Sequence, residues 1–305
     1  MAPADLHDPT AALDAVLRAA APSPVAGIDA WWIRHLRAAG LATAPIDRTI
    51  VAAARMDRLA YALASAHVEA IEQLVPVVGT ARIALCTDEA GERAPPLRLV
   101  PDGEAWRLFG EAPSVLLGAE ADELLVIARG ALPQGERMVA VDVPARRPGV
   151  GRQALSEEPL PRGRVRFEGV RVDATEVLEG DGQLDFARPL ETIADAHAHA
   201  ALATFLHGVG GRAGWPRSAL SELLAHVVAA RALALADPRS PAVHLALAGH
   251  ITQLRLLVED CRHRWDELPH QVRRRWDQDR VLLDEARTRR AARLEAAWEA
   301  PLPPS

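Results

Sequence analysis

Lysine and asparagine are absent from this sequence of 305 residues, so all 35 basic residues are arginine. The absence of lysine excludes Schiff-base chemistry and a P-loop, because both need a lysine amine. The absence of asparagine excludes N-glycosylation. The two cysteines, Cys86 and Cys261, are too few for a disulfide framework or a four-cysteine metal site.

Long uncharged apolar segments are also missing. No stretch reaches the roughly eighteen apolar residues that a membrane helix requires, so we expect no membrane span. The N-terminal segment carries aspartates and a histidine before its first basic residue and has no long apolar core, which is not the pattern of a signal peptide. We therefore expect a soluble cytoplasmic protein.

The composition is otherwise typical of a soluble globular protein, with 49% apolar and 25% charged residues. The 35 basic and 41 acidic residues give a net charge of −6, and these charges are spread along the chain. Binding to nucleic acid usually leaves a basic stripe or patch. We therefore expect no nucleic-acid partner.

Residues 1–79 have the periodicity of a short N-terminal helical unit. The segment "DPTAALDAVLRAAA" predicts a helix capped by Asp8 with a proline in the first turn. A second helix, "GIDAWWIRHLRAAG", is expected to end at Gly40, and a longer third helix is expected from about Asp47 to Leu74.

Residues 80–182 change to short apolar runs separated by Gly, Pro and Asp clusters, which predicts strands. The runs are "ARIALCT", "LRLVP", "AWRLFGE", "ELLVIARG", "RMVAVDVP" and "GRVRFEGVRV". The turns in "PDGEAW" and "LPQGERM" each join two of these runs. We interpret this zone as a central antiparallel β-sandwich or barrel domain.

Residues 183–300 return to helical periodicity, followed by a short Pro-rich tail at 301–305. The pattern predicts four helices with short connections, which is typical of an antiparallel four-helix bundle. The expected helices are 186–208, 216–235, 240–266 and 270–299. Helices, then strands, then a bundle indicate an α+β fold with segregated units.

The central zone resembles the β-domain of the acyl-CoA dehydrogenase family. That family's pattern runs from a Thr-Glu strand to a "DG-x-W-x-L-x-G" hairpin, then "AD" before an apolar strand, "PGV", and "V-x-F-x-x-V-R-V" ahead of a helical bundle. The matching residues keep the family's order over about a hundred residues. They are Thr87, Asp102, Gly103, Trp106, Leu108, Gly110, Gly118, Ala121, Asp122, Pro148, Gly149, Val150, Phe167, Val170, Arg171, Val172 and Leu178.

The resemblance implies a flavoprotein oxidoreductase that binds FAD and oxidises an acyl thioester, carried by CoA or by a carrier protein, at the α,β bond. It implies a homodimer or homotetramer. Thr87 matches the threonine that bonds the flavin's pyrimidine edge. Glu191 lies near the position from which some members supply the catalytic base. The alternatives are a β-branched strand residue for Thr87 and a solvated first-turn residue favoured by the helix dipole for Glu191.

The sequence departs from the family at several functional motifs. Ser114-Val115-Leu116 stands where the family has a "W-I-T" or "W-I-S" strand facing the flavin. Arg287 takes the position of the late catalytic glutamate. The "R-x-x-F-G" dimer motif is reduced to the segment 212–215, and a Gly-Gly motif is missing. We therefore expect the fold of the family, although its cofactor-binding and catalytic motifs are only partly present.

These departures leave two alternative functions open. One is a cofactor-less protein with the same fold that acts as a binding or structural partner, for instance in a hetero-oligomer with an active homologue. The other is a flavin-dependent monooxygenase of the same superfamily, since "RRRWDQD" resembles the last-helix pattern of those enzymes. A monooxygenase of this kind does not need the catalytic glutamate of the dehydrogenases.

The histidines do not form a metal-binding pattern. His197 and His199 are two residues apart and so point about 200° away from each other on a helix. Bundle di-iron sites need Glu-x-x-His motifs on two helices, whereas the sequence has one, Glu267 to His270, across the proline between two predicted helices. We therefore expect no metal, although Asp195 and His199 share a helix face and could form a polar pair.

The last helical segment, "RRRWDQDRVLLDEARTRRAARLEAAW", is rich in arginine. A basic patch there could attract the phosphates of CoA or of phosphopantetheine. The alternative is a charged, solvated helix with interleaved acids. Trp215 and Trp276 are interpreted as large core or interface anchors, and Cys86 as a buried, inert thiol.

Overall fold

The computed structural model describes residues 10–75, 81–87, 94–132, 135–156 and 160–300. The chain divides into two compact units, one built from Met1–Gln73 together with Thr192–Ser305, the other from Leu74–Glu191. Helices precede and follow a run of strands, which confirms the mixed α+β class. The predicted boundaries at 79, 182 and 300 stay predictions.

The first unit is helical. Its α-helices are α1 (Thr10–Leu17), α2 (Ile28–Ala39), α3 (Pro45–Ala53), α4 (Leu59–Leu74), α5 (Arg188–Ala213), α6 (Arg217–Ala234), α7 (Pro241–Asp260), α8 (His270–Asp279) and α9 (Arg287–Glu299). Gly40 caps α2 as predicted. The cap predicted at Asp8 lies outside the described residues. In the described part of the chain, no helix is long and apolar enough to cross a membrane.

The single helix predicted from Asp47 to Leu74 is wrong, because the chain is interrupted between α3 and α4. Two side chains of the interruption reach α8. Asp57 accepts a hydrogen bond from Arg275 at 2.8 Å, and Arg58 pairs with Asp279. The helical periodicity of this segment is real, but tertiary ion pairs at 57 and 58 decide where the helix breaks.

The single helix predicted over 270–299 is also wrong. It is divided into α8, a 3₁₀ segment at Arg280–Asp284, and α9. α8 ends at Asp279, whose fully buried carboxylate also accepts the backbone N–H of Ala60 at 2.9 Å. The helix predicted over 240–266 likewise ends early, at Asp260, and a 3₁₀ segment follows over Arg262–Glu267. Five α-helices therefore occupy the zone for which four were predicted.

Helices from the two ends of the chain pack together in this unit. Arg231 of α6 donates two hydrogen bonds to Asp47 of α3, at 2.6 and 2.9 Å. The Trp31 indole of α2 is fully buried and donates to the Tyr61 carbonyl at 2.9 Å. Buried charge pairs of this kind are costly to break, since either partner alone would be left uncompensated.

The second unit contains a sheet of seven strands. They are β1 (Ile83–Cys86), β2 (Arg98–Asp102), β3 (Ala105–Leu116), β4 (Glu123–Leu132), β5 (Gly135–Pro144), β6 (Val150–Ser156) and β7 (Arg162–Val172). The order is β1-β4-β2-β3-β7-β6, and β5 pairs with β4 outside this path. The predicted turn between β2 and β3 is present, with Gly103 at a φ of 65°.

The predicted antiparallel arrangement is confirmed for four strand pairings and is wrong for two. β4 pairs in parallel with both β1 and β2, while the other pairings are antiparallel. The physical reason is the connection between β3 and β4. β2 and β3 form a tight hairpin, and the chain then crosses back over residues 117–122 to run β4 alongside β2 in the same direction.

Alternating apolar residues of six strands fill the core of this unit. Typical members are Leu108, Val126, Val141 and Phe167, each at most 2% exposed. β6 was not predicted because Gly151–Leu155 are all exposed and show no apolar alternation. Among the described strands it pairs with β7, as expected for an edge strand whose side chains contribute little to the core.

Candidate functional site

Thr87 directly follows β1 and is half-buried. The preceding Cys86 is fully buried, and burial raises the pKa of its thiol, in agreement with an inert thiol. β1 stands at one end of the sheet order and pairs in parallel with β4, so Thr87 lies directly after a terminal strand. Asp88 and Glu89, the next two residues of the sequence, lie outside the described residues.

Glu191 lies in the first turn of α5 and is half-buried. A π-helical segment, Gly182–Ala187, leads directly into α5, and the Asp181 side chain caps it by accepting from the amides of Gln183 and Leu184 at 2.9 and 2.8 Å. A carboxylate in a first helical turn interacts favourably with the helix dipole. This placement suits both interpretations of Glu191.

Gly182 fixes this segment against β5. A Cβ at Gly182 would lie 2.7 Å from the backbone of Val139, so only glycine permits such a close approach. The Leu178 amide also donates to the Ala140 carbonyl at 2.9 Å. The entry to α5 is therefore anchored to the sheet a few residues before Glu191. The sequence signal for this contact is the glycine in "EGDGQL".

The strand positions that would face a flavin carry no aromatic ring. Val115 is buried in the core of the sheet, while Ser114 is exposed and Leu116 half-buried. Thr87 offers a hydroxyl group directly after β1, whereas the segment 114–116 offers aliphatic and hydroxyl groups instead of a stacking partner. The residues present therefore match a flavin site only in part, because a hydroxyl group is available and an aromatic ring for stacking is not present at 114–116.

An acidic cluster that sequence reasoning missed lies where β4 and β5 pair. Burial raises the pKa of Asp142 and of Glu123, and neighbouring carboxylates raise them further. The Asp142 Oδ1 is buried without a hydrogen-bond partner in the described residues. Arg147 donates two hydrogen bonds to Glu176, which lowers the pKa of that carboxyl. These residues come from three separate segments, so no local motif could reveal the cluster.

His197 is the centre of a directional hydrogen-bond chain in the helical unit. Its Nε2 lies 2.8 Å from Gln73 Oε1, and the Gln73 amide nitrogen donates to the Ala234 carbonyl at 2.5 Å. The ring therefore donates through Nε2 and accepts at Nδ1 from the Thr49 hydroxyl, 2.8 Å away. Burial lowers the pKa of His197 to about 3, so the imidazole is neutral and structural.

Asp195 and His199 meet, but through the backbone. The His199 Nδ1–H donates to the Asp195 carbonyl at 2.6 Å, while the buried Asp195 carboxylate accepts from Arg290 at 2.8 Å and from Arg293. The predicted polar pair therefore forms through the backbone carbonyl of Asp195 and not through its carboxylate. The carboxylate attaches α9 to α5, one turn after Glu191, and this attachment was not visible in the sequence pattern.

Three histidines approach one another on α5, α6 and α7. The Nδ1 atoms of His226 and His250 are 3.4 Å apart, and the His199 and His250 ring centroids are 6.4 Å apart. Burial lowers the pKa of His199 and of His250 to about 4 each. Among the described residues, no group of three or more His, Cys, Asp and Glu side chains has an arrangement that could hold a metal ion.

The residues at the other eroded motifs are placed as follows. Arg287 is the first residue of α9 and is exposed, as is Glu285. Trp215 is buried and contacts Trp265 edge to face, and Trp265 stacks on Trp276 with centroids 4.3 Å apart. The prediction of Trp215 and Trp276 as core anchors is thus confirmed.

The helical unit contains a cavity of about 400 Å³. Its walls are mainly apolar, with Phe205, Val209 and Trp276 among them, and Arg212 also lines it. Burial lowers the pKa of Arg212. A concave apolar pocket with a few polar groups is the usual form of a small-molecule site.

Solved structures with similar folds are numerous. A glutaryl-CoA dehydrogenase from Mycobacterium smegmatis in complex with FADH2 matches with a TM-score of 0.65 and 12% identity, over 96% of this chain and 93% of that chain. A prolyl acyl carrier protein oxidase matches with a TM-score of 0.64 and 11% identity, over 89% and 90%. A dibenzothiophene monooxygenase from Paenibacillus sp. A11-2 matches with a TM-score of 0.60 and 18% identity, over 96% and 94%.

No family profile matches the sequence. No curated protein matches it either. At identities of 11 to 18%, the structural matches establish the fold. They do not by themselves transfer a substrate or a cofactor, because one fold hosts many functions.

Proposed function

We propose that this chain, a divergent protein with the acyl-CoA dehydrogenase fold, is a flavin-dependent oxidoreductase that oxidises an acyl thioester at the α,β bond. The observation that carries the proposal is the match to dehydrogenase structures over 96% of the chain. Solved structures of this fold include complexes with FADH2 and with FMN, which supports FAD as the cofactor here.

The proposed chemistry assigns a role to two residues. Glu191 is the base that takes the α proton of the thioester, and its half-buried place in the first turn of α5 is compatible with a carboxylate that is both charged and accessible. Thr87 offers its hydroxyl to the flavin's pyrimidine edge. A bound flavin supplies the acceptor for the β hydride, so that one proton and one hydride leave the substrate.

The first turn of α5 is held firmly enough for a base. The Asp181 cap and the close packing of Gly182 on Val139 fix the chain before Glu191. The Asp195 carboxylate binds Arg290 and Arg293 one turn after it. A catalytic group benefits when the surrounding structure positions it before substrate binds.

The proposal extends to partners and location. The substrate is an acyl thioester on CoA or on a carrier protein, and a carrier-protein oxidase among the structural neighbours supports the second form. We propose a homodimer or homotetramer in the cytoplasm. The C-terminal helices are proposed to form the antiparallel four-helix bundle of the fold, with α8 and α9 together in the place of its last member.

A monooxygenase is the second candidate. A dibenzothiophene monooxygenase has 18% identity to this chain, against 12% for the glutaryl-CoA dehydrogenase. The late catalytic glutamate is replaced by the exposed Arg287, which a monooxygenase tolerates. This candidate needs flavin but does not need Glu191.

A cofactor-less partner subunit is the third candidate. It is favoured by the segment 114–116, where Val115 belongs to the core of the sheet and no aromatic ring is available for a flavin. Such a protein would act by associating with an active homologue.

The first experiment measures flavin binding. The purified protein is incubated with FAD or with FMN, desalted, and its visible spectrum is recorded. We expect near-stoichiometric FAD with absorption near the flavin's own maxima. A protein that retains neither flavin, while its circular dichroism shows an intact fold, would contradict both enzymatic candidates and support the partner subunit.

The second experiment separates the two enzymatic candidates. Glu191→Gln removes the proposed base, and Glu285→Gln is the matched control because that exposed carboxylate lies beside the family's late base position. We expect anaerobic flavin reduction by acyl thioesters to fall about 10³-fold in Glu191→Gln and to stay within about twofold in Glu285→Gln. The opposite pattern assigns the base to Glu285, and no reduction by thioesters in the wild type favours the monooxygenase.

A further inference from the structure

Two histidines of the helical unit bring their ring nitrogens together. His226 lies on α6 and His250 lies on α7. Their Nδ1 atoms are 3.4 Å apart, and their ring planes are inclined to each other by 65°. We call these two residues the histidine pair. The proposed oxidoreductase reaction assigns no role to either of them.

The spacing of the histidine pair matches that of two ligands on one metal ion. A hydrogen bond between the two Nδ1 atoms would be long, since donor and acceptor normally lie about 2.7–3.2 Å apart. Zinc binds imidazole nitrogens at about 2.0–2.1 Å in tetrahedral geometry, so two such nitrogens on one ion lie about 3.3–3.4 Å apart. Rings bound in this way have centroids roughly 5 Å apart, and the two centroids here are 4.9 Å apart.

The surrounding helices hold His250 in place. Its side chain is buried, and the His199 ring contacts it edge to face. His199 is itself fixed, because its Nδ1–H donates to the Asp195 carbonyl at 2.6 Å. The His250 ring is therefore oriented before any ion binds, as an effective ligand should be.

The other member of the histidine pair provides access from solvent. His226 is half-buried, and the exposed Glu222 lies one turn before it on the same face of α6. The Glu222 carboxylate raises the pKa of His226, although burial has the larger, lowering effect. A carboxylate at this place attracts a cation, and the open side leaves coordination positions for water.

Both rings of the histidine pair are in the form that binds metal. Burial lowers the pKa of His226, and it lowers the pKa of His250 to about 4. Both imidazoles are therefore neutral at neutral pH. Neutral imidazole is the form that coordinates metal ions, so an ion has no proton to displace.

We infer that the histidine pair binds one zinc ion through its two Nδ1 atoms, with water in the remaining positions. Imidazole favours zinc over Mg²⁺ and Ca²⁺, which prefer oxygen ligands. The described residues supply fewer than the four protein ligands of a closed structural site, so we expect moderate affinity. The sequence pattern gave no sign of this site, because its ligands are 24 residues apart on different helices. The inference is independent of flavin and of Glu191.

A zinc titration of the full-length protein tests the inference. The protein is purified without a histidine tag, stripped of metal and titrated with zinc chloride in competition with a chromophoric chelator. We expect one zinc ion per chain with a Kd of about 1–50 μM at neutral pH. Mg²⁺ at about 10 mM should not displace it. Because the ion joins α6 to α7, zinc above its Kd should also raise the midpoint of urea unfolding.

Three variants locate the binding. His226→Gln and His250→Gln each remove one of the two ligands, and each should weaken zinc binding at least about tenfold. Each should also abolish the rise of the urea midpoint with zinc. His263→Gln is the matched control, because His263 is an exposed histidine on the 3₁₀ segment Arg262–Glu267. Its replacement should change zinc affinity less than about twofold.

The inference is overturned if the wild-type protein binds no zinc at a free concentration of about 1 mM. It is equally overturned if His226→Gln binds zinc as tightly as His263→Gln, or if Mg²⁺ competes for the site. Circular dichroism checks the fold of each variant. Should the buried His250→Gln fail to fold, the half-buried His226→Gln decides the outcome by itself.

Discussion

Arg58 and Asp279 lie 221 residues apart in the chain and form a two-point ion pair, with Nη2 to Oδ1 at 2.5 Å and Nε to Oδ2 at 3.1 Å. The Asp279 carboxylate is fully buried, and Arg58 is 8% exposed. The backbone N–H of Ala60 adds a third hydrogen bond at 2.9 Å. The carboxylate thus holds the start of α4 against the end of α8.

Asp279→Asn should destabilise the protein by about 3 to 5 kcal/mol, because it leaves the Arg58 guanidinium buried without a counter-charge. Urea unfolding followed by circular dichroism measures the loss. The control is Asp14→Asn, which breaks the exposed pair with Arg18 and should cost less than about 1 kcal/mol. Equal losses in the two variants would show that the buried pair has no special role.

Stability should fall as the pH drops below about 6.5. The folded-state pKa of His197 is about 3, against an ordinary value of 6.5. Between pH 3 and pH 6.5 the unfolded chain therefore binds a proton at this histidine and the folded protein does not. By linkage, this histidine's contribution is complete above pH 6.5 and is lost progressively on acidification, at about 1.4 kcal/mol per pH unit. His199 and His250, whose pKa values are each lowered to about 4, act in the same direction.

His197→Gln checks this effect, since glutamine can still both accept and donate a hydrogen bond but does not titrate. We expect the plot of unfolding free energy against pH to flatten by about 1.4 kcal/mol per unit between about pH 6 and pH 4. Urea titrations at several pH values provide the comparison. An unchanged slope would mean that His197 takes up no proton on unfolding in this range.

Gly110→Ala should be strongly destabilising. The residue has a φ of 115°, and an added Cβ would lie 2.3 Å from the Pro96 carbonyl oxygen, so backbone strain and a backbone clash act together. We expect a loss of about 3 kcal/mol or more in thermal or urea unfolding. Gly151→Ala is the control, because its Cβ would meet nothing closer than 3.8 Å, and it should stay within about 1 kcal/mol of the wild type.

Neither thiol should react in the native protein at neutral pH. Burial raises the pKa of both Cys86 and Cys261, and the thiolate is the reactive form. Labelling with a chromogenic disulfide should therefore proceed only on unfolding, and two thiols per chain should then react in denaturant. Fast labelling of the native protein that disappears in Cys86→Ser would contradict the position of β1.

The sequence was sufficient to predict the class of each zone, because apolar periodicity and turn residues are local signals. Six of the seven strands coincide with runs marked by alternation or by turn residues, whereas β6 has no apolar side to reveal it. The breaks at 54–58 and 280–286 could not be predicted, since Asp57, Arg58 and Asp279 look like ordinary surface charges until the fold brings them together.

The candidate site was predictable only through resemblance. Thr87 and Glu191 were named from matched motifs, and their places after β1 and at the start of α5 leave both roles as predictions. The attachment of Asp195 to Arg290 and Arg293 spans about a hundred residues. The buried Arg58 and Arg231 are farther still from their acidic partners, at 221 residues from Asp279 and 184 residues from Asp47. No spacing rule connects residues that far apart.

One core built from Met1–Gln73 and Thr192–Ser305 has a consequence for synthesis on the ribosome. Asp47, Thr49 and Arg58 emerge early, yet their partners Arg231, His197 and Asp279 are translated much later. The early helices therefore remain without their charge partners until translation is nearly complete. In a nascent chain that ends before residue 279, Arg58 lacks its partner Asp279, so its guanidinium group must be solvated by water or bound by a chaperone.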